Sequence, residues 1–282
     1  MTFAEALIQS LGTIAGLLAL MAVVALVETI VPLHRRGRVH RRHLAPNLAL
    51  TFITFATNLV FNLALVAALV RLDADGVGLL NRLALPWPAE AALVLVVLDF
   101  SFWVAHRAMH ALPLFWRFHR VHHADPEVDV TTTIRQHPGE SVIRYVFMAA
   151  FALPLGASPA AFAVYRAWSA INGLFEHANV PMPRRLDGLL SAVVTTPNMH
   201  KVHHSRAVHE TDTNYGNVFA FFDRLFGKFT PSERGLTIAY GLEGFDGAEL
   251  QTTAGLLALP FRDAVPTLQH AATPPAAASR LR

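Results

Sequence analysis

The sequence contains no cysteine, and only 15% of its 282 residues are charged. The lack of cysteine excludes disulfides, thiolate zinc sites, iron–sulfur clusters and cysteine nucleophiles. Soluble globular domains carry roughly 25% charged residues, so the low charge favours residence in a membrane. The formal net charge of +3 does not indicate a nucleic-acid partner, because the arginines cluster between apolar segments.

Long apolar segments predict an all-α integral membrane protein. A helix needs about 20 residues to span the hydrocarbon core, and the sequence predicts spans over about residues 6–30, 45–70 and 88–106. A fourth apolar region, residues 142–176, contains two prolines and a glycine near its middle, which end a helix. We therefore predict a helical bundle of two spans plus a third span and a helical hairpin that enters and leaves on one side.

The charge pattern predicts the orientation of this bundle. The loop from His34 to His43 holds five arginines in ten residues, and short basic loops lie on the cytoplasmic side. The third span then returns to the cytoplasm, so the residues that follow it are expected on the cytoplasmic side. The expected location is the inner membrane of a bacterium. We expect His34, His40 and His43 to be solvated or to face lipid headgroups.

The polar segments predict the rest of the organisation. Residues 106–141 and 177–240 are expected to form a cytoplasmic helical cap, and residues 1–262 a single membrane domain. The tail, residues 263–282, is rich in Ala and Pro and is expected to be disordered.

Nine of the 15 histidines fall into clusters after the third span. Residues three and four apart share one face of a helix, and imidazole is the commonest metal ligand. Eight histidines in three such boxes exceed what one ion can use with a position left open, so the pattern predicts two metal ions. Box 1 is His106 and His110, box 2 is His119, His122 and His123, and box 3 is His200, His203 and His204, with His177 alone between boxes 2 and 3.

These boxes and their flanking residues resemble the fatty acid hydroxylase/sterol desaturase superfamily of membrane di-iron oxygenases, in a bacterial-type form. The likeness runs from about residue 20 to 232. The matching segments are Asp99–His110 (DFSFWVAHRAMH), Trp116–His123 (WRFHRVHH), Arg135–Glu140 (RQHPGE), Glu176–Asn179 (EHAN), His200–Ser205 (HKVHHS), Asp212–Gly216 (DTNYG) and Phe222–Gly227 (FDRLFG).

The resemblance implies that the eight box histidines and His177 bind two iron ions, which zinc can replace on purification. Some members carry a further histidine four residues before His177, where this chain has Gly173, so the coordination number of one metal stays open. The expected reaction is the oxygen-dependent hydroxylation, or the desaturation, of an unactivated C–H bond in a membrane lipid. Hydroxylation is the better supported of the two.

Four further residues are expected to support the ligands. Asp99 lies seven residues before His106, on the same helix face, and a carboxylate inside a span is usually functional. Asn214 and Tyr215 belong to one of the family-like segments. His137 is either a ligand or a supporting residue, and we favour the supporting role.

The electrons for such a reaction must come from a partner, because the sequence has no dinucleotide fingerprint, no cysteine and no haem module. We expect a ferredoxin- or cytochrome-type donor. A basic surface around Arg184, Arg185, Lys201 and Arg206 could receive an acidic donor.

Two other functions stay open from the residues alone. A membrane di-zinc hydrolase could use the same histidines to activate water against a lipid amide or ester. A metal transporter or sensor is a weaker alternative, because transit sites should place ligands within the spans and on both sides of the membrane.

Overall fold

The computed structural model describes residues 3–35, 40–83, 85–245 and 247–262, and the predicted disordered tail lies outside them. Within these ranges the chain is helical, with two isolated bridges and no strand, which confirms the all-α prediction. Short 3-10 helices occur at Val130–Ile134, Ser232–Leu236 and Leu259–Phe261. The α-helices are α1 Phe3–Ile30, α2 His40–Ala74, α3 Leu79–Leu83, α4 Trp87–Ala111, α5 Pro113–His123, α6 Pro138–Leu155, α7 Pro159–His177, α8 Arg184–Leu190, α9 Pro197–His203, α10 Val208–Thr211, α11 Phe221–Leu225 and α12 Thr253–Ala258.

In the described part of the chain, three helical segments are long and apolar enough to cross a membrane, namely Ala4–Ile30, His43–Leu83 and Trp87–Ala111. The first contains nearly all of α1, the second contains most of α2 together with α3, and the third is α4. Large apolar side chains such as Ile8 and Leu26 on α1 are more than half exposed. A lipid bilayer accommodates such a surface, whereas water would not.

Helices α6 and α7 form the predicted hairpin. Helix α6 begins at Pro138 rather than near residue 142, and it continues through Pro154 to Leu155. Gly156 follows as the C-cap and adopts the left-handed conformation (φ 66°). The Ser158 side chain caps α7, and Pro159 occupies its first position, where proline is favoured. The second proline therefore begins a helix instead of only ending one.

The tip of the hairpin reaches the far end of the bundle. A Cβ atom at Gly156 would lie 2.7 Å from the Cα of Gly78, in the connection between α2 and α3. The backbone N–H of Ser158 donates to the Glu90 carboxylate in the first turn of α4. The hairpin thus extends along most of the length of α2 and α4.

Helix α4 lies at the centre of the bundle, where it packs against both hairpin helices. Leu98 of α4, Met148 of α6 and Phe162 of α7 are buried in one apolar cluster with Leu69 of α2. This packing fixes the position of the last two turns of α4, which carry box 1.

The remaining helices and loops form a cap over one end of the bundle. The Glu28 carboxylate at the end of α1 accepts hydrogen bonds from the backbone N–H groups of Val130 (2.9 Å) and Asn179 (2.7 Å). A buried carboxylate of α1 therefore ties the cap to the first span.

Candidate metal centre

Four helices bring all nine predicted ligands together at the cap end of the bundle. Box 1 lies in the last two turns of α4, box 2 on α5, His177 at the end of α7, and box 3 at the end of α9. Histidines of α4, α5 and α9 form a five-membered group, and those of α5, α7 and α9 a four-membered group. The five-histidine group is His106, His110, His119, His123 and His203, and the four-histidine group is His122, His177, His200 and His204.

The two groups adjoin, and each is compact. Within each group the candidate ligand atoms all lie within 4.8 Å of one another. The rings of His123 and His204, one from each group, have centroids 4.7 Å apart. The arrangement therefore offers two neighbouring positions for metal ions.

The spacing of the ring nitrogens fits shared metal ions. The Nε2 atoms of His106 and His119 are 3.1 Å apart, as are those of His177 and His200. Metal–imidazole bonds of about 2.0–2.1 Å place two ligands at right angles about 3.0 Å apart. Each pair thus has the separation expected of two ligands on one ion.

Backbone carbonyls orient three of the rings. The Nδ1 atoms of His106, His177 and His203 each lie 2.8 Å from the carbonyl oxygens of Tyr215, Gly173 and Thr213, respectively. A carbonyl can only accept, so each Nδ1 carries the hydrogen. The Nε2 lone pair is then free to face a metal ion, and outer hydrogen bonds of this kind orient metal-binding histidines in general.

Carboxylates lie beside the rings of two other candidate ligands. Glu140 Oε2 lies 3.2 Å from His119 Nδ1, and Asp212 Oδ1 lies 3.2 Å from His110 Nδ1. Both acids belong to the family-like segments, but neither was predicted from the sequence to support a ligand. The sequence signal that could have identified this role is their position in those segments.

Burial keeps the histidines neutral at pH 7. It lowers the pKa of His203 to about 4 and the pKa values of His119, His122 and His200 well below the ordinary value. Only the neutral imidazole binds a metal ion. The residues present therefore fit a pair of metal ions.

The predicted supporting residues Asp99 and Tyr215 act through one loop. The Asp99 carboxylate accepts from the backbone N–H groups of Val218 (3.0 Å) and Phe219 (2.8 Å). Asp223, which sequence reasoning missed, accepts from the N–H of Tyr215 (2.8 Å). Both acids hold the loop whose Tyr215 carbonyl orients His106. Asp99 therefore supports the candidate ligand His106 indirectly, through the backbone of this loop.

Asn214 supports box 3 from the outside. It adopts the left-handed conformation (φ 57°), and its side-chain amide donates to the carbonyls of Met199 (3.1 Å) and Thr230 (3.0 Å). Asparagine tolerates this backbone conformation better than most residues. The contact anchors the middle of α9, next to His200.

His137 lies outside both histidine groups. Its Nδ1 accepts from the backbone N–H of Gly139 (2.9 Å), which caps α6, and its ring lies beside Phe118. The structure thus places His137 at the start of the helix that carries Glu140.

Two expectations for basic residues were wrong. His43 is buried, with Nδ1 2.6 Å from Asp125 and Nε2 3.1 Å from Asp129, instead of solvated. Lys201 is also buried, and its Nζ donates to the carbonyl of Ala178 (2.6 Å), so it is not part of an exposed basic surface. The partners of His43 and Lys201 are distant from them in the sequence.

His34 is half-buried, with its backbone bonded to the Asn179 side chain, and the side chain of His40 lies outside the described residues. His209 is exposed.

The His43 contacts belong to a buried ionic cluster that joins α2 to the segment after box 2. Because carboxylates face both ring nitrogens of His43, both nitrogens donate and the ring is a cation. Burial raises the pKa of Asp125, but the charges of His43 and Arg135 outweigh it and hold that pKa well below its ordinary value. Arg135 also donates to the Asn47 side chain (2.7 Å). The cluster fixes the chain two residues beyond His123.

A cavity of about 220 Å³ lies between the candidate metal centre and the apolar helices of the bundle. At one end it touches His106, His119, His122, His177 and His200. Its walls come from α1, α2, α4, α6 and α7. The cavity therefore extends from the histidines to helices that are apolar enough to cross a membrane.

Comparison with known proteins agrees with this site. Residues 91–228 match the family model of the fatty acid hydroxylases. The chain is 32% identical to an ornithine lipid hydroxylase of Rhizobium tropici over 56% of its own length and 47% of that protein. It is also 32% identical to an alkylglycerol monooxygenase of Caenorhabditis elegans, over 57% of its own length and 31% of that protein.

An alkylglycerol monooxygenase of Danio rerio is 29% identical over 57% of this chain and 35% of the relative. The chain thus spans less than half the length of these relatives. No solved structure matches the chain.

Proposed function

We propose a function from the premise that residues 91–228 of this chain belong to the fatty acid hydroxylase family. The protein is a membrane-bound di-iron oxygenase that hydroxylates, or desaturates, an unactivated C–H bond of a membrane lipid. The observation that carries this proposal is the pair of adjoining histidine groups at the end of a cavity that extends between the apolar helices.

The nine histidines would hold the two iron ions, five around one and four around the other. Bound iron would supply the activation of dioxygen, which redox-inactive zinc cannot provide. Glu140 and the carbonyls of Tyr215, Gly173 and Thr213 keep the rings in place. The apolar walls of the cavity exclude water and orient the lipid chain, the usual contribution of a protein to cofactor chemistry.

The electrons come from a separate ferredoxin- or cytochrome-type protein. Arg184, Arg185 and Arg206 are exposed on the cap, where an acidic donor could dock, whereas Lys201 is buried. The metal centre lies on the cytoplasmic side of a bacterial inner membrane, and residues 1–262 act as one domain.

The hydrolase and transporter alternatives have less support. The relatives carry the names of lipid hydroxylases and monooxygenases. Both histidine groups lie at the same end of the bundle, unlike the ligands of a transit path.

Isotope labelling tests the proposed reaction. Membranes that contain the protein are supplied with ferrous iron, a reductase system and either labelled dioxygen or labelled water, and their lipids are analysed by mass spectrometry. We expect a hydroxylated product that carries label from dioxygen, or a product lighter by two hydrogens. An anaerobic reaction that incorporates label only from water would favour the hydrolase instead.

A further inference from the structure

Two arginines line the cavity that reaches the histidines, although a plain hydrocarbon chain needs no charge there. They are Arg144 on α6 and Arg166 on α7. Both lie in the hairpin, and a charged side chain inside a membrane is costly and generally marks the path of a ligand or an ion.

Arg166 has no counter-ion in the described part of the chain. It is half-buried, and no described carboxylate lies within 4.0 Å of its guanidinium group. Its guanidinium lies over the ring of Tyr145, 5.4 Å from the centroid. The Tyr145 hydroxyl in turn donates to the carbonyl of Asn58 (3.1 Å), so the aromatic platform is itself fixed.

Among the described residues, the carboxylate that lies within 4.0 Å of Arg144 is Glu140, which also contacts the candidate metal centre. The Arg144 side chain is 25% exposed and lies 3.6 Å from Glu140, whose other oxygen faces His119 at 3.2 Å. Glu176 also lines the cavity, but it faces His177 and His200, each at 3.8 Å. Among the described residues, Arg166 therefore has no carboxylate partner, and Arg144 has one whose other oxygen faces a histidine of the candidate metal centre.

The position of Arg166 separates it from both the lipid surface and the metal centre. Val164, Trp168 and Ile171 form the exposed apolar face of α7, whereas Arg166 borders the cavity. Eleven residues separate Arg166 from His177, which is about 16 Å along a helix. A group bound at Arg166 would thus leave room for part of a lipid chain to extend towards the histidines.

We propose that Arg166 binds a negatively charged group of the substrate, so that the lipid carries a carboxylate or a phosphate. Guanidinium groups recognise both anions with paired hydrogen bonds, which neutral alcohols and glycerides cannot match. The inference rests on the proposed function for the reaction, but binding can be measured without turnover.

The first experiment measures binding to the purified protein in detergent by native mass spectrometry. The probes are palmitate against hexadecanol, and dipalmitoyl phosphatidate against dipalmitoylglycerol, so that each pair differs in its charged group. We expect at least one anionic lipid to bind about tenfold more tightly than its neutral counterpart, as for a charge-assisted hydrogen-bond pair. Preference for palmitate alone indicates a carboxylate substrate, and preference for phosphatidate alone indicates a phosphate. Equal binding of the anionic and neutral lipids in both pairs overturns the proposal.

Variants of the protein test whether Arg166 causes the preference for anionic lipids. Arg166→Gln should lose the preference, and Arg166→Lys should keep most of it because the charge remains. Arg71→Gln removes an exposed arginine outside the cavity and should change nothing. Metal content is measured in each variant, since a purely structural role of Arg166 would lower it. Preference retained in Arg166→Gln with normal metal content also overturns the proposal.

Turnover separates this inference from the proposed function. In the oxygen-labelling assay, Arg166→Gln should raise KM for the anionic lipid by about tenfold while kcat changes less than twofold. If the wild type shows the binding preference but forms no product, the oxygenase function fails and the anion site stands. If the wild type converts neutral lipids as well as anionic ones, the function stands and the anion site fails.

Discussion

A single buried imidazole can decide whether an ion stays bound. His122 belongs to the four-histidine group, and its Nε2 lies 3.2 Å from that of His177. We predict that His122→Ala lowers the metal content from about two ions per chain to about one and abolishes lipid oxidation, because the ion at that position loses one of its four candidate ligands.

Metal analysis of the purified protein measures this loss, and His209→Ala is the matched control. His209 is 79% exposed and belongs to neither group, so its replacement should leave two ions bound. Full metal content after His122→Ala would remove that histidine from the site.

Loss of the Glu140 carboxylate beside His119 should weaken metal binding almost as much as loss of a ligand. Glu140→Gln keeps the shape of the side chain but replaces one carboxylate oxygen with an amide NH2 group, which cannot accept a hydrogen bond from Nδ1 of His119. We predict a metal affinity about 10–100-fold weaker, the usual effect of losing a partner that orients a ligand histidine. Metal titration of the metal-free protein measures the change, with the exposed Glu243→Gln as control. An unchanged affinity would mean that packing alone orients His119.

The histidines could be predicted from the sequence because helix periodicity determines which side chains share a face. Their acceptors could not, since every residue has a backbone carbonyl and only the fold selects Tyr215 or Gly173 as a partner. The environment of His43 was mispredicted for a related reason. Its neighbours in sequence are arginines, whereas its partners Asp125 and Asp129 are 82 and 86 residues away.

At the level of the helices, the hairpin depends on a close approach of two backbones at its tip. Alanine at Gly156 would adopt an unfavourable positive φ, and its Cβ would lie 2.7 Å from the Cα of Gly78. The conformation costs about 1–2 kcal/mol and the overpacking about 1–3 kcal/mol. We predict that Gly156→Ala lowers the free energy of unfolding by at least about 2 kcal/mol, seen as a lower Tm in detergent.

Gly76→Ala separates the two contributions. Gly76 has the same φ of 66°, but a Cβ there meets no atom within 4 Å. Its replacement should show the conformational cost alone and therefore a smaller fall in Tm. Equal effects of the two substitutions would contradict a tight contact at the hairpin tip.

The hairpin itself was predictable because prolines and a glycine interrupt a long apolar run. The boundaries of its two helices were less predictable, because a proline can end one helix or begin the next. Pro154 lies in the last turn of α6, and Pro159 begins α7 behind the Ser158 cap. The tertiary contacts of Gly156 with Gly78 and of Ser158 with Glu90 fix where the turn occurs.

For the whole molecule, the remaining question is which side of the membrane holds the metal centre. The arginine-rich loop before α2 favours a cytoplasmic cap, and the far ends of α2 and α4 then face outwards. We predict that a cysteine at Asp75, at the far end of α2, reacts with a membrane-impermeant maleimide in intact cells. A cysteine at the exposed Arg185 of the cap should react only in inverted membrane vesicles.

The chain is suited to this test because it contains no cysteine, so the unaltered protein is a control without background labelling. Asp75 pairs only with its neighbour Arg71 on the surface, and such exposed pairs contribute little to stability. Asp75→Cys and Arg185→Cys should therefore fold and keep their metal ions. Labelling of Asp75→Cys and Arg185→Cys from the same side would contradict a bundle that crosses the membrane between them. Labelling with the two sides exchanged would place the centre outside, where a cytoplasmic electron donor could not reach it.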